Sequence, residues 1–285
     1  MQPPASLIDA VARHGLAPRS ARWQALAGGR TNRVWRIGPV EDSLICKLFV
    51  PVGGNLLYPN LPGAEYEALK ALARHRIAPQ PLALLNTGAG DALIYRHLPG
   101  ESWRDDVAPV ARLLSRLHQL PLRLPLRRLP AGPGALRRSI AEILSACDSV
   151  PERLTRIPAL PELPAPVAPV LLHTDVVPGN IIVTDNGLRL IDWQCPALGD
   201  PCEDLASFLS PAMQYLYTGR ILAPGQAEAF LSAYGDPVIA ARYRLLAPLY
   251  HLRIAAYCHW KKERGAEDYD RAMVLELEAL ETGLN

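Results

Sequence analysis

The sequence predicts an α+β chain of two lobes, the first rich in short strands and the second mostly helical. Up to residue 97, short apolar runs alternate with turns rich in glycine and proline, a pattern typical of antiparallel strands. From Asp105 to Leu120, apolar residues recur at helical spacing, and the pattern beyond Pro201 is again mostly helical. We therefore expect one lobe over residues 1–97 and a second over residues 98–285.

The elements of the first lobe follow from local signals. Ser6 to His14 predicts a short helix, because Ser6 and Asp9 form a capping-box pattern and Gly15 suits a helix end. Three strand-like runs then predict a meander, and a helix from about Ala64 to His75 precedes two further strands. These five runs cover residues 23–27, 33–37, 44–49, 82–85 and 92–95.

Composition and charge exclude several classes of protein. The chain of 285 residues is 49% hydrophobic and has a net charge of +2, whereas a nucleic-acid binder is usually strongly basic. The arginine-rich stretch 123–138 is interrupted by prolines and has no aromatic residue on which a base could stack. No apolar run reaches the length of a membrane span, and no secretory signal or disulfide pattern is visible. We expect a cytoplasmic chain without nucleic-acid partners.

One stretch of the chain orders its polar residues as phosphoryl transfer requires. His173, Asp175 and Asn180 have the spacing H-x-D-x-x-x-x-N, and two short apolar runs follow. Residues 185–187 read Asp-Asn-Gly, which predicts a tight hairpin between those runs. The second run ends at Asp192. Transfer of phosphate from ATP needs a carboxylate at the acceptor hydroxyl, together with an amide and a carboxylate that hold Mg²⁺.

Lys47 is a lone cation within an apolar strand, and Glu65 is its expected partner. Glu65 lies on the apolar face of its predicted helix, with Leu69 and Leu72 at positions i+4 and i+7. A buried carboxylate without a partner would be costly, so a lysine from a neighbouring strand would satisfy it. Glu67 lies on the opposite face, and we favour Glu65 over it. The alternative is an outward-pointing lysine on an edge strand.

Two further features have a functional and an ordinary interpretation. The Gly28-Gly29 turn between two strands would let backbone N–H groups approach phosphate, but it is equally compatible with a simple hairpin. Asp204 lies beside apolar Leu205 and Phe208, so it would accept backbone N–H bonds from the catalytic loop or lie exposed on its helix. Asp200 is expected to cap that helix.

The C-terminal aromatic residues favour core packing over ligand binding. Tyr243, Tyr250 and Tyr257 recur every seven residues and share one helix face, and Trp260 is near them. The alternative is an aromatic wall that attracts an ammonium group by cation–π interaction, to which Trp193 would also contribute. Residues 200–285 hold four more acidic than basic residues, which mildly favours a cationic substrate.

These motifs together resemble those of the aminoglycoside phosphotransferase and choline kinase superfamily, which has a protein-kinase-like fold. The matching segments occur in the family's order and cover nearly the whole chain, apart from residues 121–169 and the C-terminal tail. Ile191-Asp192-Trp193 is most similar to the choline, ethanolamine and thiamine kinase branch. The matching segments are 26–32, Lys47, Glu65, 97–100, 114–118, 173–180, 191–193 and 199–206.

The resemblance implies a role for each matching residue. ATP and Mg²⁺ would be the cofactors, with Asp175 acting on the acceptor hydroxyl and Asn180 and Asp192 binding the metal. The first lobe would bind the nucleotide and the second would supply catalytic and substrate-binding residues. His173 and Asp204 would give structural support. The nucleotide-binding residues would be Gly28, Gly29, Arg30, Thr31, Asn32, Lys47, Glu65, Arg96, His97 and Leu98.

Three departures from the protein-kinase pattern point to a small-molecule substrate. Gln194 stands where protein kinases have glycine, and Thr174 replaces the arginine of their catalytic loop. Only twelve positions separate Asp192 from Asp204, which leaves little room for a peptide platform. We expect a phosphotransferase for the hydroxyl of a small cationic metabolite such as choline, ethanolamine or thiamine. The alternatives are an aminoglycoside or sugar O-phosphotransferase and a non-catalytic nucleotide or metabolite binder.

Overall fold

The computed structural model describes residues 1–26, 31–40, 42–51, 54–160, 163 and 168–283. These residues form two compact units. The first unit consists of Met1–Ser102 and Ile181–Pro196, and the second consists of Trp103–Asn180 and Ala197–Asn285.

The strands and helices alternate early in the chain, and helices dominate its second half. The strands are β1 (Trp23–Ala25), β2 (Arg33–Ile37), β3 (Leu44–Leu48), β4 (Pro81–Thr87), β5 (Gly90–Arg96), β6 (Glu101–Ser102), β7 (Val170–Leu172), β8 (Ile181–Thr184), β9 (Gly187–Leu190) and β10 (Ala197–Gly199). The helices are α1 (Ala5–Arg13), α2 (Pro62–Leu72), α3 (Val107–His118), α4 (Pro133–Ser145), α5 (Glu152–Thr155), α6 (Cys202–Leu209), α7 (Pro211–Thr218), α8 (Gln226–Tyr234), α9 (Pro237–Lys262) and α10 (Asp268–Thr282).

The first unit is built on an antiparallel sheet of five strands in the order β1-β2-β3-β5-β4. Because side chains alternate between the two faces of a strand, Trp35, Cys46 and Ile94 share one face, where α1 packs on them through Leu7 and Val11. The opposite face carries Lys47 in β3. The sheet register sets Lys47 between Val34 of β2 and Leu93 of β5.

The start of α1 differs from the capping-box prediction. The helix begins at Ala5, with Pro4 at the N-cap and no side-chain hydrogen bond to the free N–H groups. Ser6 therefore lies inside the first turn, and the pairing expected with Asp9 is wrong. The fixed φ of proline suits a helix start without a polar side chain.

The division of the chain also differs from the expected boundary between residues 97 and 98. β6 pairs with β8, and β8 pairs with β9, so the hairpin after the catalytic loop belongs to the first unit. The N–H of Leu190 in β9 also donates to the carbonyl of Ile77 at 2.7 Å. Backbone pairing between distant segments determines this grouping, and it brings Asp192 into the same unit as Lys47.

The second unit packs its helices around α9, which has 26 residues and contacts α4, α6 and α10. β7, which leads into the catalytic loop, pairs with β10 in an antiparallel ladder. Helix α6 starts at Cys202 with Pro201 at its N-cap, so it begins one residue later than predicted from Asp200. Asp200 still accepts the N–H of Cys202 at 3.1 Å. Among the described residues, no helix is both long and apolar enough to cross a membrane.

Candidate active site

A cluster of three charges, two of them buried, lies on the face of the five-stranded sheet opposite α1. Lys47 projects from the middle of β3, and only 3% of its side chain is exposed. Its Nζ lies 2.6 Å from Oε2 of Glu65 in the first turn of α2, and it also donates to Oδ1 of Asp192. The ion pair predicted from the helical phase of Glu65 is therefore present, whereas Glu67 pairs with exposed Lys70.

The two carboxylates keep the buried lysine charged. Burial disfavours the charge of Lys47, but attraction by Asp192 and Glu65 outweighs it and raises the pKa of the ammonium above its usual value. Burial raises the pKa of Glu65, against the attraction of Lys47, and Asp192 adds repulsion in the same direction. The cluster thus favours the charged form of Lys47, whereas burial disfavours the charged form of Glu65.

Asp192 is the exposed member of this cluster. It follows β9 in a left-handed backbone conformation with φ of 61°, and 32% of its side chain is exposed. The next residue, Trp193, is fully buried and donates from Nε1 to the carbonyl of Leu190 at 2.9 Å. A strained backbone persists where the surroundings hold it, and the buried indole provides that anchor. One carboxylate oxygen faces Lys47 while the group remains open to a ligand.

The catalytic loop lies in the second unit, directly after β7. Asp175 is 9% exposed, and Asn180 donates from Nδ2 to the carbonyl oxygen of Asp175 at 2.9 Å and to its Oδ2 at 3.2 Å. The N–H of Asp175 donates to Nδ1 of His173 at 3.2 Å. Asn180 therefore holds the Asp175 carboxylate, and His173 holds the backbone N–H of the same residue. Among the described residues, the amide oxygen of Asn180 accepts no hydrogen bond, which leaves an oxygen ligand suited to a hard cation.

Asp204 braces this loop by accepting its backbone N–H groups, which is one of the two interpretations that the sequence allowed. It is completely buried and accepts the N–H groups of His173 at 2.9 Å and Thr174 at 2.7 Å. Thr174 has a φ of 68°, so the carboxylate fixes a backbone conformation that threonine rarely adopts. His118 of α3 lies 3.1 Å from the same carboxylate and 2.9 Å from the hydroxyl of Tyr234. The exposed-carboxylate alternative is wrong.

We expect Asp204→Asn to destabilise the second unit and to lower activity. An amide removes the negative charge and places an NH₂ group against backbone N–H donors, so at least one buried donor loses its partner. The expected loss of unfolding free energy is about 2–3 kcal/mol, measured by urea denaturation. Exposed Asp148, in the same unit, gives the control Asp148→Asn, which we expect to unfold like the parent chain. Equal midpoints for both variants would contradict the bracing role.

Of the residues predicted to bind nucleotide, Gly28, Gly29 and Arg30 lie outside the described residues. Thr31 and Asn32 lie before β2, and Asn32 is 9% exposed.

The segment Arg96 to Leu98 follows β5. The N–H of Arg96 donates to Gln80 at 2.9 Å and that of His97 to Ser43 at 3.0 Å. Among the described residues, the Leu98 N–H has no such bond. Of the three backbone N–H groups in this segment, that of Leu98 is thus the one without a backbone partner among the described residues.

The aromatic residues suggested as a substrate pocket are packed in the interior. Trp193 is fully buried in the first unit, while Tyr250, Tyr257 and Trp260 of α9 are 3–7% exposed in the second. Tyr257 stacks on Trp260 with centroids 5.7 Å apart, and the hydroxyl of Tyr250 donates to Glu203 at 3.3 Å. Within each unit, the structure favours the core-packing interpretation of these side chains.

Several acidic residues of the C-terminal region pair with basic residues of the same region. Arg253 lies 2.6 Å from Glu203, and Arg242 lies 2.6 Å from Asp200. Glu228 pairs with Arg244, and Asp270 pairs with Lys262. These basic residues are already counted against the acidic ones, so the pairs leave the acidic excess of residues 200–285 unchanged.

Another group of metal-binding residue types lies in the second unit. The ligand atoms of Cys147, His259 and Glu263 lie within 4.8 Å of one another. However, Glu263 accepts the N–H groups of residues 148 and 149, and His259 Nε2 lies 2.7 Å from the carbonyl of Ser149. Through these hydrogen bonds, Glu263 and His259 cap the backbone of the segment that follows α4.

Two polar residues contact members of the site although the sequence predicted no role for them. Asn60 precedes α2 and hydrogen-bonds Asn32, and His118 contacts Asp204. His118 had a usable signal, since it ends a helix whose other inward residues are apolar. Asn60 had none, because it lies in a loop rich in proline and asparagine.

Comparison with known proteins places the chain in a family. The family model described as the phosphotransferase enzyme family matches residues 22–249. A thiamine kinase from Salmonella heidelberg is 34% identical over 155 residues, which is 52% of this chain and 54% of that protein. The chain thus spans about half the length of the curated relatives that it matches.

Solved structures agree on the fold. A choline/ethanolamine kinase family protein from Mesorhizobium loti has a TM-score of 0.66 at 17% identity, covering 96% of this chain and 97% of that one. A choline kinase from Cryptosporidium parvum has a TM-score of 0.65 at 13% identity, covering 98% and 96%. The fold is therefore protein-kinase-like, as predicted, and the chain belongs to the phosphotransferase enzyme family.

Proposed function

We propose that the protein transfers the γ-phosphoryl group of ATP to the hydroxyl of a small metabolite, with a thiamine-like alcohol as the first candidate. The observation that carries the proposal is the buried cluster in which Lys47 is held between Glu65 and Asp192. Family membership and the thiamine kinase relatives support it. Phosphoryl transfer depends mainly on positioning and on neutralising phosphate charge, and this cluster provides a fixed cation for both.

Lys47 would bind the α- and β-phosphates of the nucleotide. Its ammonium has three N–H donors, and Glu65 and Asp192 accept from it in the free protein. On nucleotide binding, the donor that faces Asp192 would turn to a phosphate oxygen while Glu65 keeps the side chain in place. Asp192 would then be released to act as a metal ligand.

The donor groups suit Mg²⁺. Asp192 offers a partly exposed carboxylate and Asn180 an amide oxygen, and Mg²⁺ prefers oxygen ligands of this kind. When bound, the metal would neutralise negative charge on the phosphates. The roles of Asp192 and Asn180 as its ligands are part of this proposal.

Asp175 would orient the acceptor hydroxyl. Asn180 donates to its Oδ2 at 3.2 Å, so the carboxylate presents a fixed direction to the incoming alcohol. A hydrogen bond from the hydroxyl to Asp175 aligns the attacking oxygen, and the carboxylate takes the proton as the new P–O bond forms. The leaving group is ADP.

The acceptor is tested by measuring ADP release with Mg-ATP and one alcohol at a time. We expect turnover with thiamine to exceed that with choline, ethanolamine, an aminoglycoside or an amino sugar, because the curated relatives are thiamine kinases. Reactions without acceptor measure background hydrolysis. Turnover confined to sugars or aminoglycosides would contradict the thiamine proposal and favour an O-phosphotransferase of that class.

A further inference from the structure

Three side-chain amides form a cluster in the first unit that makes none of the hydrogen bonds of Lys47 described above. Asn32, Asn60 and Gln194 are here called the amide cluster. Asn32 donates from Nδ2 to Oδ1 of Asn60 at 3.0 Å and to Oε1 of Gln194 at 3.2 Å. Asn60 returns a hydrogen bond from its Nδ2 to Oδ1 of Asn32 at 2.8 Å.

Backbone groups of Val50 and Leu61 complete the cluster. The N–H of Val50 donates to Oδ1 of Asn32 at 3.2 Å, and its carbonyl accepts from Nδ2 of Asn60 at 3.1 Å. The N–H of Leu61 donates to the backbone carbonyl of Gln194 at 2.8 Å. The five residues come from four stretches of the chain, because Leu61 directly follows Asn60.

The hydrogen bonds of Asn32 are complete. Its NH₂ group donates to two acceptors and its oxygen accepts from two donors, which is the full capacity of an amide side chain. Asn32 and Gln194 are 9% and 4% exposed. Fully satisfied buried polar networks fix a single arrangement of their members, because any shift leaves a costly unpaired group.

The cluster joins the ends of the segments that carry the proposed phosphate and metal groups. Val50 follows Lys47 by three positions, Leu61 precedes Glu65 by four, and Gln194 follows Asp192 by two. Asn32 lies directly before β2, and β2 pairs with β3, the strand that carries Lys47. The cluster itself carries no charge, so it connects these segments without competing for the metal or the phosphates.

We propose that the amide cluster is a positioning device that sets Asp192 relative to Lys47 and Glu65 for binding of the metal-nucleotide complex. The proposal rests on the proposed function, since it assigns to these amides the alignment of that site. Asn32, Asn60 and Gln194 are positioning residues, and they act through the backbone segments they join. Loosening the cluster weakens the contribution of Mg²⁺ to nucleotide binding more than it weakens binding of the nucleotide alone.

The test uses Asn60→Asp and titration calorimetry with ADP, once with Mg²⁺ and once with EDTA. Aspartate keeps the size of the side chain but cannot donate to Asn32 or Val50. We expect the Mg²⁺-dependent gain in ADP affinity to fall about fivefold, consistent with the loss of buried hydrogen bonds. ADP affinity in EDTA should change by less than about twofold, since no charge-assisted contact of Lys47 is lost.

Asn186→Asp is the matched control, because Asn186 is exposed in the hairpin turn of the same unit and Asp-Gly suits that turn as well as Asn-Gly does. It should leave both affinities unchanged. Gln194→Met is a milder second variant that removes one acceptor and keeps the backbone bond to Leu61. We expect its Mg²⁺-dependent gain to fall about threefold.

The outcomes separate this inference from the proposed function. If Asn60→Asp and Gln194→Met both fold and keep the full Mg²⁺-dependent gain in ADP affinity, the positioning role is overturned. The proposed function is not affected by that result. A parallel weakening with and without Mg²⁺ would also overturn the positioning role, because it indicates a merely structural cluster. Failure of the unaltered protein to bind Mg-ADP would overturn the proposed function as well.

Discussion

Asp192→Asn is expected to lower kcat by about a thousandfold or more while the protein remains folded. Asparagine keeps the shape of the side chain but removes the negative charge that would hold the metal. The buried charge of Lys47 stays compensated, because Glu65 remains 2.6 Å away. Turnover and the Mg²⁺ dependence of ADP binding are the measurements, with thermal unfolding to verify folding.

The exposed turn residue Asp185 provides the control for this change. Asp185→Asn makes the same chemical substitution in the same unit, seven positions earlier, and should leave kcat and metal dependence unaltered. An Asp192→Asn enzyme with the kcat of the parent chain would remove Asp192 from the mechanism. A loss of activity that matches a loss of folded protein would point to a structural role instead.

The second large effect is expected from Asp175→Asn, with a different signature. Loss of the carboxylate at the acceptor hydroxyl should reduce kcat by about a hundredfold to ten-thousandfold, the usual range for a positioned acid or base. The amide can still accept the hydrogen bond that Asn180 donates to Oδ2, so the loop should keep its conformation. Mg-ADP affinity should change little.

The two variants therefore test separate steps. Asp192→Asn should weaken the Mg²⁺-dependent binding of nucleotide, whereas Asp175→Asn should leave binding intact and slow the transfer. Asp148→Asn, an exposed substitution in the second unit, controls for the change of charge. If Asp175→Asn turned over at the parental rate, Asp175 would have no role in orienting the acceptor.

Local sequence signals predicted those parts of the site that depend on short segments. The turn Asp185-Asn186-Gly187 placed the hairpin before Asp192 within one residue of the observed β8 and β9. Helical phase selected Glu65 over Glu67 as the partner of Lys47, and the structure shows that pair. In both cases the deciding information lies within a few residues, where backbone geometry leaves few choices.

Contacts between distant segments were beyond reach of the sequence. The amide cluster joins residues separated by as many as 162 positions, and neither Asn60 nor Gln194 has a local pattern that marks it. The pairing of β6 with β8, which moves the hairpin into the first unit, is likewise a long-range choice. A local pattern can also predict a contact that does not form. Helix α1 begins at Ala5, after Pro4, without the polar side-chain cap that its sequence suggested.

The aromatic residues of α9 show how burial decides between two interpretations of one pattern. Heptad spacing of Tyr243, Tyr250 and Tyr257 is compatible with a ligand wall or with a packed interior. Their exposures of 1–3% fit packing. The nearby carboxylates Glu203 and Asp200 pair with arginines of α9, so these charges are compensated within the second unit.

The central claim, transfer of phosphate from ATP to a small alcohol, is tested most directly by phosphorus NMR of the reaction mixture. The unaltered protein is incubated with Mg-ATP and thiamine, and the products are followed until ATP is consumed. We predict a new phosphomonoester resonance that grows in equal amount with ADP and is absent with Asp192→Asn. Release of inorganic phosphate alone, or no consumption of ATP with thiamine or any other alcohol of the panel, would contradict the account.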